Sequence, residues 1–416
     1  AMSLEKIDTL IVGGGQAGLA MSEHLSNNGV AHLILERERI VERWRTSRWD
    51  SLVANGPAWH DRFPTMEFSD VLPDAFAHRD SVVAYFEDFA EKIKAPIRCS
   101  VDVTEVLRLP NGTGFSVKTS DGVIEAKNVV VATGPFQQPI IPPLVPSDSG
   151  IIQIHSKDYR NPKQLPDGAV LVVGAGSSGS QIADELLQIG RQVFLSVGPH
   201  DRPPRRYRGY DYVWWLGVLG IWQAKTPDPN TEHVTIAVSG SHGGQTVDFR
   251  RFAQRGMTLL GLTKKFEDGL LYFTNDLKEN VSRGDKNYLS VLDKADDYVT
   301  KNNLNLPEEP EARIIESDPE CITNPTLKLN LDKTNIRSII WATGYSQDFS
   351  WLKVDTFDDS GNPSHNRGVS AENGIYFIGL PWLSMRGSSF IWGVWKDAKY
   401  LSEHIAKKKI DSVQVK

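Results

Sequence analysis

The sequence predicts an α/β protein made of two Rossmann-like units, with the second unit inserted into the first. A pattern of strand, glycine-rich turn, helix and strand begins at residue 7 and begins again at residue 169. An apolar strand that ends in Ala-Thr-Gly also occurs twice, at residues 128–134 and 338–344. We expect the chain to cross between the two units near these Ala-Thr-Gly segments.

Composition limits the class of protein before any motif is considered. Of the 416 residues, 40% are hydrophobic and 24% are charged, which is typical of a globular chain. The 46 Lys and Arg against 52 Asp and Glu give a net charge of −6, a poor match for a nucleic-acid partner. The two cysteines, Cys99 and Cys321, are far apart, so we expect no CxxC pair, no disulfide framework and no zinc or other metal site.

No targeting or membrane-spanning segment is predicted. The N-terminus has no basic segment followed by an apolar run, so we expect no secretory signal and a cytoplasmic location. The longest apolar stretch, residues 212–222, is too short to cross a bilayer. The sequence leaves the oligomeric state open, with a homodimer as one option.

The first copy of the repeated pattern starts with a strand at residues 7–12 and a glycine turn at 13–18. A helix that ends near residue 28 and a strand at 31–36 complete it. The segments that follow are predicted as a helix at 81–94, an antiparallel meander at 101–109, 114–119 and 122–126, a buried strand at 128–132 and a stiff proline-rich linker at 139–143.

The second copy has a strand at residues 169–173, a glycine turn at 174–179, a helical run at 181–188 and a strand at 192–196. The later predicted elements are strands at 338–342 and 374–379 and a closing helix at about 388–406. The domain organisation expected from this order is one unit from 1–150 and 341–416, and another from 151–340 with a mostly helical insertion at about 203–323.

The two glycine turns predict dinucleotide binding. A GxGxxG turn between a strand and a helix lets backbone N–H groups approach a pyrophosphate at the positive end of the helix. A glycine-rich surface loop is the alternative, but each turn here follows a strand and opens a helix. The candidate cofactor-binding residues of the two turns are Gly13, Gly15, Gln16, Ala17 and Gly18 in the first, and Gly174, Gly176, Ser177, Ser178 and Gly179 in the second.

The residue that ends the second strand differs between the two copies. Glu36 in the first copy can accept hydrogen bonds from a ribose with free hydroxyls, as in FAD or NAD, unless it is only a solvated strand end. Ser196 in the second copy offers no acid that would repel a 2′-phosphate, and Arg202, Arg205, Arg206 and Arg208 follow it. This favours NADPH in the second turn, with a solvated basic loop as the alternative.

Two different dinucleotides on one chain indicate redox chemistry. The chain contains no CxxC, HExxH, GxSxG or GxxxxGK[ST] motif, which argues against disulfide reductase, zincin, α/β-hydrolase and P-loop ATPase interpretations. Electrons from a reduced flavin would then pass to dioxygen, to a small molecule or to a protein.

With these motifs in order, and with Trp44-Arg45, Trp49-Asp50 and Asn55-Gly56-Pro57 between the two turns, nearly the whole chain resembles a known family. This family is the class B flavoprotein monooxygenases with two dinucleotide sites, which include the flavin-containing monooxygenases, the YUCCA-type enzymes and their bacterial relatives. One motif departs from the family. In FxGxxxHxxx[Y/F], His155 and Tyr159 match, while Ser149 and Ile151 replace the Phe and the Gly. We interpret His155 as a hydrogen-bonded interface residue, with a role near the NADPH ribose or phosphate as the alternative.

The resemblance implies FAD in the first site and NADPH in the second. It also implies a catalytic role for Asn55 at the flavin edge, although Asn-Gly-Pro is also strong turn chemistry. The other candidate cofactor-binding residues are Glu36, Arg37, Trp44, Arg45, Val103, Ala132, Thr133, Gly134, Ser196, Arg202, Arg205, Ala342, Thr343 and Gly344.

The reaction that the resemblance implies is oxygenation by a C4a-hydroperoxyflavin. One atom of O₂ would enter a small organic substrate at nitrogen, at sulfur or beside a carbonyl. Two alternatives are an NADPH-linked flavin reductase or oxidase without oxygen transfer, and a redox sensor that binds both nucleotides and turns over nothing.

Overall fold

The computed structural model describes residues 4–225 and 234–415. The elements before the first crossing are β1 Glu5–Val12, α1 Gln16–Asn27, β2 His32–Leu35, α2 Glu42–Thr46, α3 Arg79–Lys92, β3 Ile97–Arg98, β4 Val103–Arg108, β5 Phe115–Thr119, β6 Gly122–Val131 and β7 Gln138–Pro139. The predicted strands, helix and meander of this region are confirmed, with one difference. The strands expected at 122–126 and 128–132 form the single strand β6, because no glycine or proline separates them.

The second unit follows. Its elements are β8 Ile152–His155, β9 Ala169–Val173, α4 Ser177–Gln188, β10 Val193–Ser196, β11 His200–Asp201, β12 Arg206–Tyr207, β13 Tyr210–Asp211, α5 Tyr212–Val218, β14 Thr235–Ile236, α6 Phe249–Gln254, β15 Thr258–Leu260, β16 Thr263–Glu267, β17 Leu270–Phe273, α7 Leu277–Lys301, α8 Glu320–Thr323, β18 Lys328–Asn330 and β19 Ile336–Trp341. The insertion expected at 203–323 contains the helices α5, α6, α7 and α8 in its described residues, and short strands alternate with these helices. Residues 226–233 of that span lie outside the described residues.

The last segment returns to the first unit. Its elements are β20 Tyr345–Ser346, β21 Leu352–Lys353, β22 His365–Asn366, β23 Val369–Ser370, β24 Ile375–Phe377 and α9 Ile391–Val415. Strands from both ends of the chain share one ten-stranded sheet, in which β6 pairs in parallel with both β1 and β24. The predicted α/β class with two Rossmann-like units is confirmed, while the proposed boundary residues stay predictions.

The second unit is built on a five-stranded parallel sheet in the order β15-β10-β9-β19-β8. The strands β1 of the first unit and β9 of the second are each covered on both faces of their sheet, so their side chains alternate between two hydrophobic cores. In β1, Ile11 packs towards α1, α3 and α9, whereas Leu10 packs towards the meander. In β9, Val172 packs towards α4 and Leu171 towards β17.

The two crossings between the units lie side by side. β7 and β20 pair in antiparallel register, with Tyr345 opposite Pro139. Next to this pair, the Ile140 N–H donates to the Gly344 carbonyl at 3.0 Å, and the Thr343 hydroxyl donates to the Ile140 carbonyl. The connections predicted at the Ala-Thr-Gly segments are therefore tied to each other. No helix in the described part of the chain is both long and apolar enough to cross a membrane.

The packing of α4 on β9 generates a stability prediction. A Cβ at Gly179 would lie 1.7 Å from the Gly174 carbonyl oxygen, so Gly179→Ala must push the helix off the strand. We expect a loss of about 1–3 kcal/mol, as for other overpacked sites. The matched control is Gly217→Ala in α5, where the added methyl meets nothing within 4 Å. Thermal unfolding followed by circular dichroism should show a lower Tm only for Gly179→Ala, and equal Tm changes would contradict this packing.

Candidate active site

Two glycines of the first turn are packed closely against backbone oxygens, and a third faces open space. Gly13 has φ +117°, and a Cβ there would lie 2.3 Å from the Ala132 carbonyl oxygen. A Cβ at Gly18 would lie 2.0 Å from the Gly13 carbonyl oxygen. A Cβ at Gly15 would meet nothing within 4 Å, and no side chain caps the helix that Gly15 begins. The turn is therefore packed tightly on the protein side and open in front of the N-terminus of α1, which fits a pyrophosphate.

The second turn repeats this geometry. Cβ atoms at Gly174 and Gly179 would lie 2.2 Å from the Ala342 oxygen and 1.7 Å from the Gly174 oxygen. At Gly176 the nearest atom would be Thr235 Cβ at 3.6 Å, an ordinary contact, and no side chain caps α4. Both Ala-Thr-Gly segments thus lie against a glycine turn, and both turns leave a surface of free backbone N–H groups.

Glu36 lies at the first turn, as its position after β2 predicts. Its carboxylate accepts hydrogen bonds from the Gly14 N–H at 2.8 Å and from the Glu38 N–H at 2.6 Å. The Glu36 carbonyl accepts from the Val101 N–H at 3.0 Å. This bond brings the start of β4, with its buried first residue Val103, towards the end of β2. A carboxylate so fixed keeps unused lone pairs for a ribose, and this role stays a prediction.

The segment with Trp44 and Arg45 lies beside the first turn, but the Arg45 side chain is directed to other residues. The Val41 N–H, just before α2, donates to the Gly14 carbonyl at 3.1 Å. The Arg45 side chain instead donates to the Ile40 carbonyl and pairs with Glu87 on α3. Cofactor contacts of Arg45, of the half-buried Trp44 and of the exposed Arg37 stay predictions.

The C-terminal segment packs on the first turn, in agreement with the assignment of residues 341–416 to the first unit. Gln16 Nε2 donates to the Ser389 carbonyl at 3.3 Å. A Cβ at Gly379 would lie 3.0 Å from Ala17 Cβ. The chain after β24 therefore packs on the first turn of α1.

Asn55 belongs to the first unit and is held by the second. Its Oδ1 accepts from Gln181 Nε2 of α4 at 2.8 Å, and its backbone carbonyl accepts from Arg205 Nη1 at 2.5 Å. Its Nδ2 has no hydrogen-bond partner among the described residues, and the side chain is exposed. The contact between the units thus holds the amide oxygen of Asn55 and leaves its two N–H donors available.

His60, which follows Asn55 in the same loop, lies in an aromatic cluster with Trp222 and Trp392. His60 Nδ1 lies 2.8 Å from Asp61 Oδ1, and Asp61 Oδ2 accepts from the Gly56 N–H at 2.9 Å. The His60 ring stacks on Trp222 at 5.1 Å and lies 6.2 Å from Trp392. His60 Nε2 and Trp222 Nε1 are buried without a hydrogen-bond partner among the described residues.

Arg202 and Arg205 are buried rather than exposed on a basic loop. Arg202 Nη2 lies 2.8 Å from Asp285 Oδ1, and Arg205 Nη2 lies 2.8 Å from Asp211 Oδ2. Their side chains are 5% and 2% exposed, respectively. Both charges are therefore compensated by carboxylates, and binding of a 2′-phosphate by either residue is left without structural support.

Ser196 is also enclosed. Its hydroxyl donates to the Gly261 carbonyl at 2.6 Å and accepts from the Thr263 hydroxyl at 3.0 Å. The end of β10 therefore carries no acid, as predicted, and the hydroxyl faces the sheet rather than a ligand.

His155 has the interface role expected for it. Its Nε2 lies 2.9 Å from the Gly344 carbonyl, and its Nδ1 accepts from the Lys157 N–H at 3.1 Å. The ring is neutral with the proton on Nε2, and burial lowers the pKa of His155. The residue ties β8 to the second crossing. Among residues 4–225 and 234–415, no three His, Cys, Asp or Glu side chains form a metal site.

The fold and the paired turns define an oxidoreductase with two dinucleotide sites. Residues 10–214 match the family model described as "Pyridine nucleotide-disulphide oxidoreductase". An oxidoreductase of Geobacillus kaustophilus called CzcO-like is 34% identical over 404 residues, which covers 96% of this chain and 98% of that protein. The probable indole-3-pyruvate monooxygenase YUCCA1 of Arabidopsis thaliana is 31% identical over 401 residues, 91% of this chain and 86% of that protein.

Solved structures show the same fold. A flavin-containing monooxygenase from Stenotrophomonas maltophilia aligns with a TM-score of 0.67 and 18% identity, over 97% of this chain and 99% of that chain. The chain therefore belongs to the class B flavoprotein monooxygenase family, with the YUCCA enzymes among its relatives. The family predicted from the motifs is confirmed, and the protein is an oxidoreductase.

The two turns predict a reciprocal binding result. A methyl at Gly15 meets no protein atom within 4 Å, so Gly15→Ala should fold normally and weaken FAD binding alone. Gly176→Ala should weaken NADP⁺ binding while FAD stays bound. Flavin absorbance of the purified variants and NADP⁺ titration calorimetry measure both effects. Loss of both nucleotides in either variant, or of neither in both, would contradict two independent sites.

Burial of His200 predicts a pH effect on stability. Its Nδ1 lies 2.9 Å from the Gly198 carbonyl, and desolvation lowers its pKa from 6.5 to about 4. The unfolded chain then binds more protons than the folded chain between these two pH values. His200 leaves the free energy of unfolding unchanged above pH 6.5 and lowers it by about 3 kcal/mol as the pH drops towards 4.

The comparison for this effect is His200→Asn, which keeps a polar side chain but does not titrate. Urea unfolding at a series of pH values should give a shallower acid loss of stability for the variant than for the native protein. Parallel curves would show that His200 is not the buried neutral group described.

Proposed function

We propose that the protein is an FAD-dependent, NADPH-consuming monooxygenase that transfers one atom of O₂ to a small organic molecule. The observation that carries this proposal is the pair of open glycine turns, which fit two pyrophosphates at the N-termini of α1 and α4. In this proposal the first turn with Glu36 and the segment at 379–389 holds FAD, and the second turn holds NADPH. The bound flavin supplies hydride acceptance from NADPH and electron transfer to O₂.

Asn55 is the residue we propose next to the reacting atoms. Its carbonyl oxygen is occupied by Gln181, so only its N–H donors remain to face the cofactor or substrate. Donors fixed before the reaction stabilise negative charge that develops nearby, and they need no reorganisation. Because Gln181 is on α4, the amide is set in place only when the two units are joined as described.

The aromatic cluster of Trp59, His60, Trp222 and Trp392 supports an apolar, largely planar substrate. His60 and Trp222 are buried, and Trp59 and Trp392 are half-buried. Rings in this arrangement would keep water from the reacting centre, where water would lead to release of hydrogen peroxide. Two buried nitrogen atoms, His60 Nε2 and Trp222 Nε1, would orient a polar group of the substrate. Oxygenation at nitrogen, at sulfur or beside a carbonyl is consistent with these features, and the name of the YUCCA relative favours a carbonyl compound.

Isotope labelling tests the proposal. The FAD-loaded protein is incubated with NADPH, ¹⁸O₂ and a panel of amines, sulfides, ketones and keto acids, and products are analysed by mass spectrometry. We expect one ¹⁸O atom in one class of product, with NADPH oxidised in equal amount. If all consumed O₂ appears as hydrogen peroxide with every class, the reductase or oxidase alternative is correct. No NADPH oxidation would indicate the sensor alternative.

A substitution at Asn55 separates its two hydrogen-bonding functions. Asn55→Asp can still accept from Gln181 but can no longer donate. We expect oxygenated product per NADPH to fall at least about tenfold, as for the loss of a hydrogen bond to a charged group. Asn111→Asp, on an exposed turn, is the control. Unchanged coupling in Asn55→Asp would remove Asn55 from the reacting centre.

A further inference from the structure

A cavity of about 350 Å³ lies between α5, α7 and the turn before α9, and none of its described lining belongs to a glycine turn. A cavity of this size can enclose a small organic molecule. The described lining is apolar on the side of α5 and of the chain that follows α5. Its polar members are Asp201, Tyr212, Asn287, Ser290, Lys294 and Arg386.

One face of α7 supplies three of these polar residues. Asn287, Ser290 and Lys294 are spaced three and four residues apart, so they follow one another along the same side of the helix. The Ser290 hydroxyl donates to the Asn287 carbonyl at 2.9 Å, and the Lys294 side chain is exposed. Asn287 Oδ1 is buried without a hydrogen-bond partner among the described residues, which is uncommon for a buried acceptor.

The opposite wall carries a carboxyl group and a phenol. Asp201 ends β11 and is half-buried, and its carboxyl forms no hydrogen bond with the described part of the chain. Burial raises the pKa of Asp201, against the opposing charges of Arg283 and Arg386. Burial also raises the pKa of Tyr212 to about 12. A cation placed beside Asp201 would oppose the effect of burial and favour its ionised form.

Arg386 closes one end of the cavity. Its backbone N–H donates to the carbonyl of Ala224, another lining residue, at 3.1 Å. Its guanidinium carbon lies 5.2 Å from the centre of the Trp382 ring, and its Nε is buried without a hydrogen-bond partner in residues 4–225 and 234–415. A guanidinium that no carboxylate of the described chain pairs with can bind a carboxylate of a ligand.

The polar lining fits neither a simple anion nor a simple amine. An anion held by Arg386 would be repelled by Asp201 and would leave the acceptor of Asn287 without a donor. An amine held by Asp201 would leave the guanidinium without an acceptor. A ligand that carries both a carboxylate and an ammonium group supplies a partner to each side.

We propose that this cavity binds a free α-amino acid through both of its charged groups. Arg386 and Lys294 bind the carboxylate. Asp201 and the amide oxygen of Asn287 bind the ammonium group, and the apolar wall beside α5 receives the side chain. The site goes beyond the proposed function, because no residue of the two glycine turns or of the aromatic cluster lines it.

Titration calorimetry of the FAD-loaded protein with each of the twenty standard L-amino acids tests the proposal. For the amino acid that binds most tightly, the titration is repeated with the amine that lacks its carboxylate and with the 2-oxo acid that lacks its ammonium group. The variants are Asp201→Asn and Arg386→Gln. The control is Asp293→Asn on α7, since Asp293 pairs with Arg313 at 2.7 Å and does not line the cavity.

We expect both analogues to bind the native protein about tenfold or more weakly than the amino acid, as for the loss of hydrogen bonds to a charged group. Asp201→Asn should raise the Kd of the amino acid by a similar factor without weakening the 2-oxo acid. Arg386→Gln should weaken the amino acid and leave the amine unchanged, while Asp293→Asn should behave as the native protein does.

Two results would overturn the proposal: no binding of any amino acid at millimolar concentration, or a 2-oxo acid or amine that binds the native protein as tightly as the amino acid does. Because the readout is binding in the absence of NADPH, a failure of the proposed oxygenation would leave these results unchanged.

Discussion

The close approach of a backbone carbonyl to the first glycine of each turn is the constraint on which the rest of the site depends. The Ala132 oxygen lies 2.3 Å from the place that a Cβ of Gly13 would take, and the Ala342 oxygen lies 2.2 Å from that of Gly174. Because glycine has no side chain, the backbone of each turn can pass this close to the neighbouring strand end. The following helix then starts with its free N–H groups directed into open space.

The same carbonyls belong to the segments where the chain changes units. This couples the two nucleotide sites to the domain connection, since a shift of either crossing would move both the turn and the strand beside it. The β7–β20 pair and the His155 bond to Gly344 hold the crossings together. The Asn55 contact with Gln181 then spans the interface between the units. The relative position of the units is thus fixed by several polar contacts, one of which holds Asn55 itself.

Local sequence was sufficient for the elements that carry strong periodicity or glycine turns. Strand β9 and its turn were predicted with the correct limits, because five apolar residues precede the glycines without a break. The strands of the insertion were not predicted. Strands such as β16, with the sequence TKKFE, are short and polar and have no apolar alternation. The separation of β6 into two strands was an error of the same kind, because Lys127 interrupts the apolar run without ending the strand.

Among the candidate site residues, too, only those in a local sequence pattern could be predicted. Gly15 and Glu36 are recognisable from spacing alone, whereas the His60–Trp222 stack and the bond from Gln181 to Asn55 join distant segments of the chain. A run of arginines predicts positive charge but not where the charge is compensated. Asp285, which neutralises Arg202, lies on α7, far along the chain. Burial and pairing of this kind are properties of the folded chain.

The central claim is that the chain holds two nucleotides at once in separate sites. It is tested most directly by equilibrium dialysis of the native protein with FAD and NADP⁺ together, with both bound nucleotides quantified per chain. The account predicts one FAD and one NADP⁺ per chain, with no loss of FAD as the NADP⁺ concentration rises. Displacement of FAD by NADP⁺, or a total of one nucleotide per chain at saturation, would contradict it.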